Sequence, residues 1–596
     1  MATTAHASKT LRHGTIAAGL RCYDHPMPAR FGLRCVISLL TVSAVAQQAE
    51  SGSLDGLLKD GASLSRQADY AHAIPILLRA KQLAPQNYFA NLLLGEDLLR
   101  SGHPLNAVAP LRIAAAVRAD DETAEGYLGE AEEAQGNFAL AAEAFQAAVA
   151  RSPNSEHALV GWADYCLDRF RALGLWLRSS ARGVAALLRV QAQGTPSGTP
   201  AREQLLQQAA AADPQQVGIW GELGMAQAEI GMHTDAETSL TTALQRQPHD
   251  SSTWKLEALK AAAQGHWSEA ESRLQALAGR SHAELQRALV EWPRALIPKQ
   301  DVSGAIWQCL REGSTDCPTP KNASAGRGIS NPETLFTEER WEQLAAGPPP
   351  KTDKGPLWFH RGVALAQIGD CPQAIPSLER GLKEGAEAAG YWLIVCYASD
   401  AGHATAKLAA QNKEVAVHRI RGDILLSMKG DASAANTEYD EALRLRPNDP
   451  DLLEKSAEAY LTLGDLDHAQ QTGQAALTED PNRETTLQLL VRAAMNQRDY
   501  QAALRVLDQL QKMEPEDPWT RVQMGTAYAQ TDHPQDAVHL LEPALAAGYP
   551  DERGALHALL AGQLRKLGRE QEAKSAAEQA VRLANAFQEH SPKSQP

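Results

Sequence analysis

Aromatic residues and positive charge are both scarce in this sequence of 596 residues. Phe, Trp and Tyr together make up 5%, although hydrophobic residues reach 44%. The apolar content therefore lies mostly in Ala, Leu and Val, which suits many thin helix-to-helix contacts better than a few thick cores. Lys and Arg number 57 against 72 Asp and Glu, so the net charge is −15. A net-acidic chain with no long basic run argues against nucleic acid and anionic membranes as partners.

Motifs that mark catalytic, cofactor or metal sites are missing as well. The sequence contains no GxxxxGK[ST], HExxH or GxSxG pattern, and no GxGxxG after a strand. None of the cysteine spacings is CxxC, and no His accompanies the cysteines at zinc-site intervals. We therefore expect no enzyme activity, no cofactor and no metal site.

Cysteine is rare too, with seven residues in the chain. Two pairs could form disulfides in an oxidising compartment. One is Cys309 with Cys317, which are eight residues apart, and the other is Cys371 with Cys396, which fall on neighbouring predicted helices. The alternative is that these residues and Cys166 are all buried free thiols.

The N-terminus has the pattern of a secretory leader. Residues 1–26 show no pattern, and we expect them to be an unstructured upstream extension. Residues 27–46 combine two arginines, an apolar stretch over 35–45 and a small-x-small cleavage pattern that ends at Ala46. The apolar stretch is well below the roughly 20 residues that a transmembrane helix needs, and no other stretch reaches that length. We expect the signal peptide to be removed and the protein exported to the periplasm or the extracellular space; the alternative is a cytoplasmic protein with an unstructured leader.

A repeat of 34 residues organises most of the remaining sequence. Its best copy spans residues 219–250 and places large residues, small residues and a closing proline at fixed offsets: Trp220, Leu223, Gly224, Ala236, Leu240, Ala243 and Pro248. A small residue returns at the same interval near the C-terminus, at Ala435, Ala469, Ala503 and Ala537. Eleven such units can be recognised. Their offsets resemble those of the tetratricopeptide repeat (TPR) family.

The resemblance implies an all-α fold in which each unit is a helix–turn–helix. Large residues on one helix need small residues on the other, so that the two backbones can approach. One pair cannot cover its own apolar face, so stacked neighbours supply the core. We therefore expect an α-solenoid of stacked repeats that forms a right-handed superhelix with a concave inner groove, with an irregular insertion between two repeat blocks.

Two irregular segments interrupt the repeats and set the expected domain boundaries. Residues 156–216 keep only pieces of the pattern, and residues 285–354 are a linker rich in Gly, Pro and Ser between two repeat blocks. The expected order is three repeats over 54–155, degenerate repeats over 156–216, repeats over 217–284, the insertion over 285–354, a repeat plus a degenerate helical pair over 355–415, the C-terminal block over 416–587 and a disordered tail over 588–596.

Residues 171–190, inside the first irregular segment, are both apolar and basic. They fit an amphipathic helix that seeks a membrane surface. They also fit a lengthened repeat helix that packs against its neighbours.

The concave groove is where we expect the function to lie. In TPR proteins the ligand commonly contacts the second, fifth, ninth and twelfth positions of the first helices. The resemblance places the following candidates at those positions: Phe89, Leu92, Glu96, Glu130, Glu454, Glu458, Gln488 and Arg492. Such a mixture suits an extended or helical peptide with apolar anchors and some basic residues, although each residue could also merely solvate the inner face. Asn does not recur at the ninth position, so the clamp that grips the acidic C-termini of heat-shock chaperones is missing.

Two functions fit these features. The first is a non-enzymatic scaffold that binds protein or peptide segments in its groove, in the assembly of an exported or envelope-associated complex. The second is an accessory subunit of polysaccharide synthesis or export, or of another enzyme system, which positions the catalytic partner. A sugar polymer as ligand would require clustered exposed aromatics in the groove, and the low aromatic content favours the first function.

Overall fold

The structure is a computed structural model that describes residues 53–118, 120–177, 181–193, 195–248, 250–290, 292–293, 296–298, 304–312, 331–350 and 355–590. The regular structure in these ranges is helical, without a strand. The expected upstream extension and the signal peptide over 27–46 lie outside the described residues. None of the described helices is both long and apolar enough to cross a membrane.

The helices fall into three consecutive groups along the chain. The first group comprises α1 (Leu54–Arg66), α2 (Tyr70–Leu83), α3 (Tyr88–Arg100), α4 (Pro104–Val117), α5 (Thr123–Glu133), α6 (Phe138–Arg151) and α7 (Glu156–Leu177). The second comprises α8 (Ala181–Gln193), α9 (Pro200–Ala212), α10 (Ile219–Glu229), α11 (His233–Arg246), α12 (Ser251–Ala263), α13 (Trp267–Arg280), α14 (His282–Val290), α15 (Ala305–Arg311), α16 (Pro332–Thr337), α17 (Trp341–Ala346), α18 (Gly355–Gln367) and α19 (Cys371–Lys383).

The third group begins with the long helix α20 (Ala389–Ala410) and runs to the C-terminal end of the described residues. It continues with α21 (Glu414–Ile424), α22 (Ala432–Leu445), α23 (Pro450–Leu463), α24 (Leu466–Glu479), α25 (Glu484–Asn496), α26 (Tyr500–Met513), α27 (Pro518–Gln530), α28 (Pro534–Ala546), α29 (Ala555–Lys566) and α30 (Glu570–His590). Residues 425–429 extend α21 by a π-helical turn. Because α30 reaches His590, the expected tail is shorter than residues 588–596, and its residues 591–596 lie outside the described ranges.

Each unit follows the same local rules, and the pair α3–α4 illustrates them. The side chain of Asn87 caps α3 by accepting a hydrogen bond from the N–H of Ala90, at 3.0 Å. The turn to α4 contains Gly102 with φ +78°, a left-handed conformation that glycine adopts without a steric penalty. Between the helices, Gly95 faces Leu111 so closely that a Cβ at Gly95 would lie 2.4 Å from the Leu111 Cγ. The small residue of the repeat thus makes room for the large one.

All eleven units recognised in the sequence form such antiparallel helix pairs. This confirms the all-α solenoid of stacked helix–turn–helix repeats. The pair α8–α9, in the segment predicted to be degenerate, adds one more helical hairpin.

One further pair is made from helices that are distant in the sequence. The long helix α7 packs along the long helix α20, as extensively as the two helices of an ordinary repeat. The rings of Tyr165 and Tyr397 lie 5.9 Å apart at the middle of the pair. At one end, the Lys413 ammonium lies 3.0 Å from the Glu156 carboxylate. Rising numbers on α7 meet falling numbers on α20, so the two helices are antiparallel.

The pair α7–α20 joins the first and third groups into one array. Its members, in order, are α1–α2, α3–α4, α5–α6, α7–α20, α21–α22, α23–α24, α25–α26, α27–α28 and α29–α30. Residues 178–388, which contain α8–α19, form an inserted arm between the two helices of one pair. The linker predicted at 285–354 lies within this arm, and the first and third groups of helices meet through α7–α20.

Two local expectations are revised for the same reason. Residues 389–410 form one helix, α20, instead of a degenerate helical pair, and the partner of that helix is α7. Residues 171–177 lengthen α7, with Leu173 and Leu177 buried in the core, and residues 181–190 begin α8. This matches a lengthened repeat helix packed against its neighbours better than a helix with a free apolar face.

The cysteines behave differently from one another. Cys371 and Cys396 form a disulfide between α19 and α20, with their Cα atoms 5.0 Å apart. Cys309 is buried in α15, whereas its expected partner Cys317 lies outside the described residues. Cys166 is a buried free thiol in α7.

The close approach at Gly95 can be tested with a matched pair of substitutions. Gly95→Ala should lower the free energy of unfolding by about 1–3 kcal/mol, because Leu111 and the backbone must shift to admit the Cβ. Gly402→Ala, at an exposed helical site with open space around it, should raise it by about 0.5–1 kcal/mol. Urea unfolding followed by circular dichroism measures both, and equal effects would contradict the packing rule.

Candidate binding groove

The first helices of the pairs line the inner side of the array. Successive first helices contact each other along the array, as in α1 with α3, α3 with α5, α5 with α7 and α7 with α21, whereas successive second helices make less extensive contacts. The row whose members lie closest together is on the inside of the curve. The groove therefore runs over α1, α3, α5, α7, α21 and α23, and it crosses the split pair without interruption.

Polar groups from consecutive first helices pair along the N-terminal half of this groove. The hydroxyl of Tyr127 donates a hydrogen bond of 2.7 Å to Glu96. The Arg100 guanidinium lies 3.7 Å from the Glu130 carboxylate. Glu96 and Glu130, both predicted from their repeat positions, thus lie side by side on α3 and α5.

The middle of the groove joins groups from both sides of the split pair. Arg171 of α7 lies 3.4 Å from Glu458 of α23. Asp164 of α7 lies 2.8 Å from Arg419 of α21. The Asp164 side chain keeps 40% of its surface exposed, yet desolvation raises its pKa. The side chain is thus half-buried, and the neighbouring helices desolvate it although solvent still reaches it.

Two carboxylates in the middle of the groove form no hydrogen bond or ion pair within the described residues, although Arg169 lies near Glu133, and Lys455 and Arg171 lie near Asp168. Glu133, on α5, is half-buried, and Asp168, on α7, is exposed. Burial, followed by repulsion from the Asp168 charge, raises the pKa of Glu133 to about 8. Desolvation also raises the pKa of Asp168. At neutral pH, this pair of carboxylates holds a proton that a cation could displace.

An apolar surface lies toward the N-terminal end of the groove. Phe89 is 48% exposed, with the Arg118 guanidinium 4.8 Å from its ring centroid. Leu92 is half-buried and packs against two neighbouring core clusters. Phe89 is exposed, whereas the other aromatic side chains described here are buried or half-buried. The clustered exposed aromatics expected for a sugar polymer are therefore not seen in the described part of the groove.

The remaining predicted groove residues lie farther along the array. Glu454 accepts hydrogen bonds from Thr485 at 2.6 Å and from Arg483 at 3.2 Å, so it ties α23 to α25. The Gln488 amide donates to Glu484 at 2.8 Å, and Arg492 is exposed. These residues are therefore not brought together with Glu130 and Glu133.

Sequence reasoning missed Asp164, Asp168 and Arg171, which α7 contributes to the middle of the groove. A signal for Asp164 was present, because continuing the 34-residue register of the first three units places it at a ninth position. The partners of α7 on α21 and α23 carried no such signal, since their proximity depends on the pairing with α20. Among the residues that the structure describes, no group of three or more His, Cys, Asp or Glu is arranged to hold a metal ion.

Comparisons with known proteins agree with the repeat architecture. One tetratricopeptide repeat profile matches residues 92–156 and 424–484, and a second matches residues 494–562. The resemblance to the tetratricopeptide repeat is thereby confirmed over these segments. No curated protein matches the chain significantly.

Several solved structures are similar to part of the chain. The structure described as MamA 41-end from Desulfovibrio magneticus RS-1 is 20% identical, with 29% of this chain and 96% of that chain covered, at a TM-score of 0.27. A MamA structure from AMB-1 is 20% identical, with 29% and 99% covered, at 0.26. Another MamA structure is 17% identical, with 31% and 100% covered, at 0.27.

The raised pKa of Glu133 predicts a pH-dependent stability. The folded state holds this proton more tightly than the unfolded state, so stability is highest below the ordinary glutamate pKa and falls as the pH rises toward about 8. Glu133→Gln should remove that fall and raise the melting temperature at pH 9 more than at pH 4. Melting curves of both proteins between pH 4 and pH 9 test this. A constant difference between the two proteins across the range would contradict the assignment.

Proposed function

We propose that the chain is a non-enzymatic interaction scaffold whose inner groove binds a protein segment carrying a Lys or Arg side chain beside an apolar one. The observation that carries this proposal is that the carboxylates of Glu133 and Asp168, in the concave middle of the groove, form no hydrogen bond or ion pair within the described residues. Protein partners are what TPR arrays commonly take, and a peptide segment is long enough to reach several first helices.

A cationic side chain of the ligand would suit the electrostatics at Glu133 and Asp168. Desolvation disfavours the charge on both carboxylates and outweighs the attraction of the nearby Arg169, Lys455 and Arg171, and the Asp168 charge repels Glu133 as well. An ammonium or guanidinium group between them would remove the repulsion and favour the ionised forms. Binding at neutral pH would therefore release the proton that Glu133 holds.

The exposed Phe89 and its neighbour Leu92 supply the apolar contact. An exposed aromatic on a first helix offers a large, rigid surface for an apolar side chain of the ligand. The groove thus offers an apolar contact and an acidic contact on successive pairs. This arrangement supports a segment with an apolar anchor and a separate basic residue.

We propose further that the protein is exported and acts in the assembly of an envelope-associated complex. The leader-like pattern over residues 27–46 supports this, and so does the Cys371–Cys396 disulfide, because disulfides persist mainly in oxidising compartments.

Peptide binding tests the groove. The probe is a fluorescent 15-residue peptide of Lys, Leu and Ala, and its counterpart carries Glu in place of Lys. The double variant Glu133→Gln, Asp168→Asn should weaken binding of the basic peptide at least about ten-fold, roughly the loss of one charge-assisted contact. Fluorescence anisotropy at low and moderate salt measures the affinity.

The matched control makes the same two kinds of substitution, Glu to Gln and Asp to Asn, outside the groove, and it removes at least as much negative charge. It is the double variant Glu479→Gln, Asp508→Asn, at exposed positions on the second helices α24 and α26. The control should bind as the unmodified protein does. If both double variants lose affinity equally, the basic peptide responds only to the net charge, and the groove assignment is wrong.

Export is tested by the mature N-terminus. Expression of the full chain with secretion should yield a protein that begins at Gln47, because cleavage is expected after Ala46. N-terminal sequencing of the exported fraction measures this, with an Ala44→Arg, Ala46→Arg variant as the uncleaved control. A mature protein that retains residues before Gln47 would contradict the proposal.

A further inference from the structure

We infer that the inserted arm is an outer attachment to a self-sufficient groove, so that the array and its groove stay intact when the chain is cut within the arm. The arm comprises residues 178–388, and the array is held together at that point by the packing of α7 on α20. The two helices of an ordinary repeat are joined by a short turn, and here the arm replaces that turn.

The arm starts and ends at the same end of the α7–α20 pair. Gly183, in the first turn of α8, lies so close to the end of α7 that a Cβ there would be 1.8 Å from the Leu177 carbonyl oxygen. At the other end of α8, the Gln193 amide lies 3.3 Å from the hydroxyl of Tyr391, in the first turn of α20. The Arg189 guanidinium lies 4.9 Å from the ring centroid of Tyr391. Because α7 and α20 are antiparallel, the end of α7 and the start of α20 occupy the position of an ordinary repeat turn.

The last hairpin of the arm lies on the outer side of the array. Helix α19 packs against α6 and α20, which are both second helices. Arg380 of α19 forms an ion pair with Glu143 of α6, and the amide of Gln146 donates to the carbonyl of Pro372. On the side of α7 that faces the arm, the Arg169 guanidinium lies 3.0 Å from the Glu379 carboxylate.

The polar groups described above for the groove belong to the array. Glu130 and Glu133 belong to α5, and Asp164 and Asp168 belong to α7. The partners described for α7 in the groove belong to α21 and α23. A single helix, α7, thus faces the arm with Arg169 and the groove with its carboxylates. Breaking the chain inside the arm leaves each of these contacts in place.

The experiment cuts the full-length chain inside the arm. A protease recognition sequence is inserted between Ala325 and Gly326, in a segment rich in Gly and Ser. The disulfide between Cys371 and Cys396 lies on one side of the cut, so it cannot hold the two fragments together. We expect the cleaved protein to elute from a size-exclusion column as one species and to keep the helical circular dichroism of the uncut protein. Separation of the fragments in native buffer, or loss of helical signal on cleavage, would overturn the inference.

Paired variants distinguish the α7–α20 contact from other contacts across the cut. Tyr397→Ala removes a fully buried ring that packs on Tyr165. The milder Tyr397→Phe removes only the hydroxyl, which donates to Glu379 and lies 3.5 Å from the Tyr165 hydroxyl across the cut. Glu342→Gln weakens a contact inside the arm, where Glu342 accepts from Ser281 at 2.9 Å.

Dilution of the cleaved proteins, followed by analytical ultracentrifugation, gives the dissociation constant of the fragments. We expect Tyr397→Ala to weaken fragment association at least about ten-fold, Tyr397→Phe to weaken it less, and Glu342→Gln to change it less than about three-fold. If Tyr397→Ala is unfolded before cleavage, the comparison of Tyr397→Phe with Glu342→Gln decides. A larger effect of Glu342→Gln than of the Tyr397 variants would show that the arm holds the fragments, and the inference would be wrong.

Discussion

A helix pair of this kind cannot bury its apolar faces by itself, so each pair in the array depends on the neighbours on both sides. The packing of α7 on α20 meets this requirement at the centre of the molecule. Tyr165 and Tyr397 fill the space between the two helices, while the Arg169–Glu379 ion pair fixes α7 to the last hairpin of the arm. Without this pair, the three repeats before it and the five after it would each end on an uncovered apolar face.

The chemistry of the groove follows from the same contact. Because α7 lies beside α21, its Asp164 meets Arg419, and its Arg171 reaches Glu458 on α23, two pairs farther along the array. Glu133 and Asp168 form no ion pair of their own, and desolvation together with the repulsion of Glu133 by Asp168 favours a bound cation. The geometry that completes the array therefore also creates the acidic position that we propose for the ligand.

The sequence predicted the repeated pairs well, because a 34-residue interval of small and large residues follows directly from how two neighbouring helices pack. It could not predict α7–α20, since no interval relates helices that are separated by residues 178–388. The same limit applies to the groove. Glu96 and Glu130 follow from repeat positions, whereas the importance of Asp168 depends on which helices surround α7. For Glu454 the repeat position predicts a ligand-binding residue, but the structure shows that its carboxylate already accepts hydrogen bonds from Arg483 and Thr485. A repeat position alone does not reveal such contacts.

The central claim is that α7 and α20 form one repeat, and a zero-length cross-link tests it most directly. A carbodiimide joins a carboxylate to an amine only when the two are in contact. In the intact protein it should join Lys413 to Glu156, whose charged groups lie 3.0 Å apart across the split pair. Lys566 and Asp532, 2.9 Å apart on neighbouring pairs of the C-terminal block, provide the internal control. Mass spectrometry should find both cross-linked peptides. Finding the control cross-link without the Lys413–Glu156 cross-link would contradict the account.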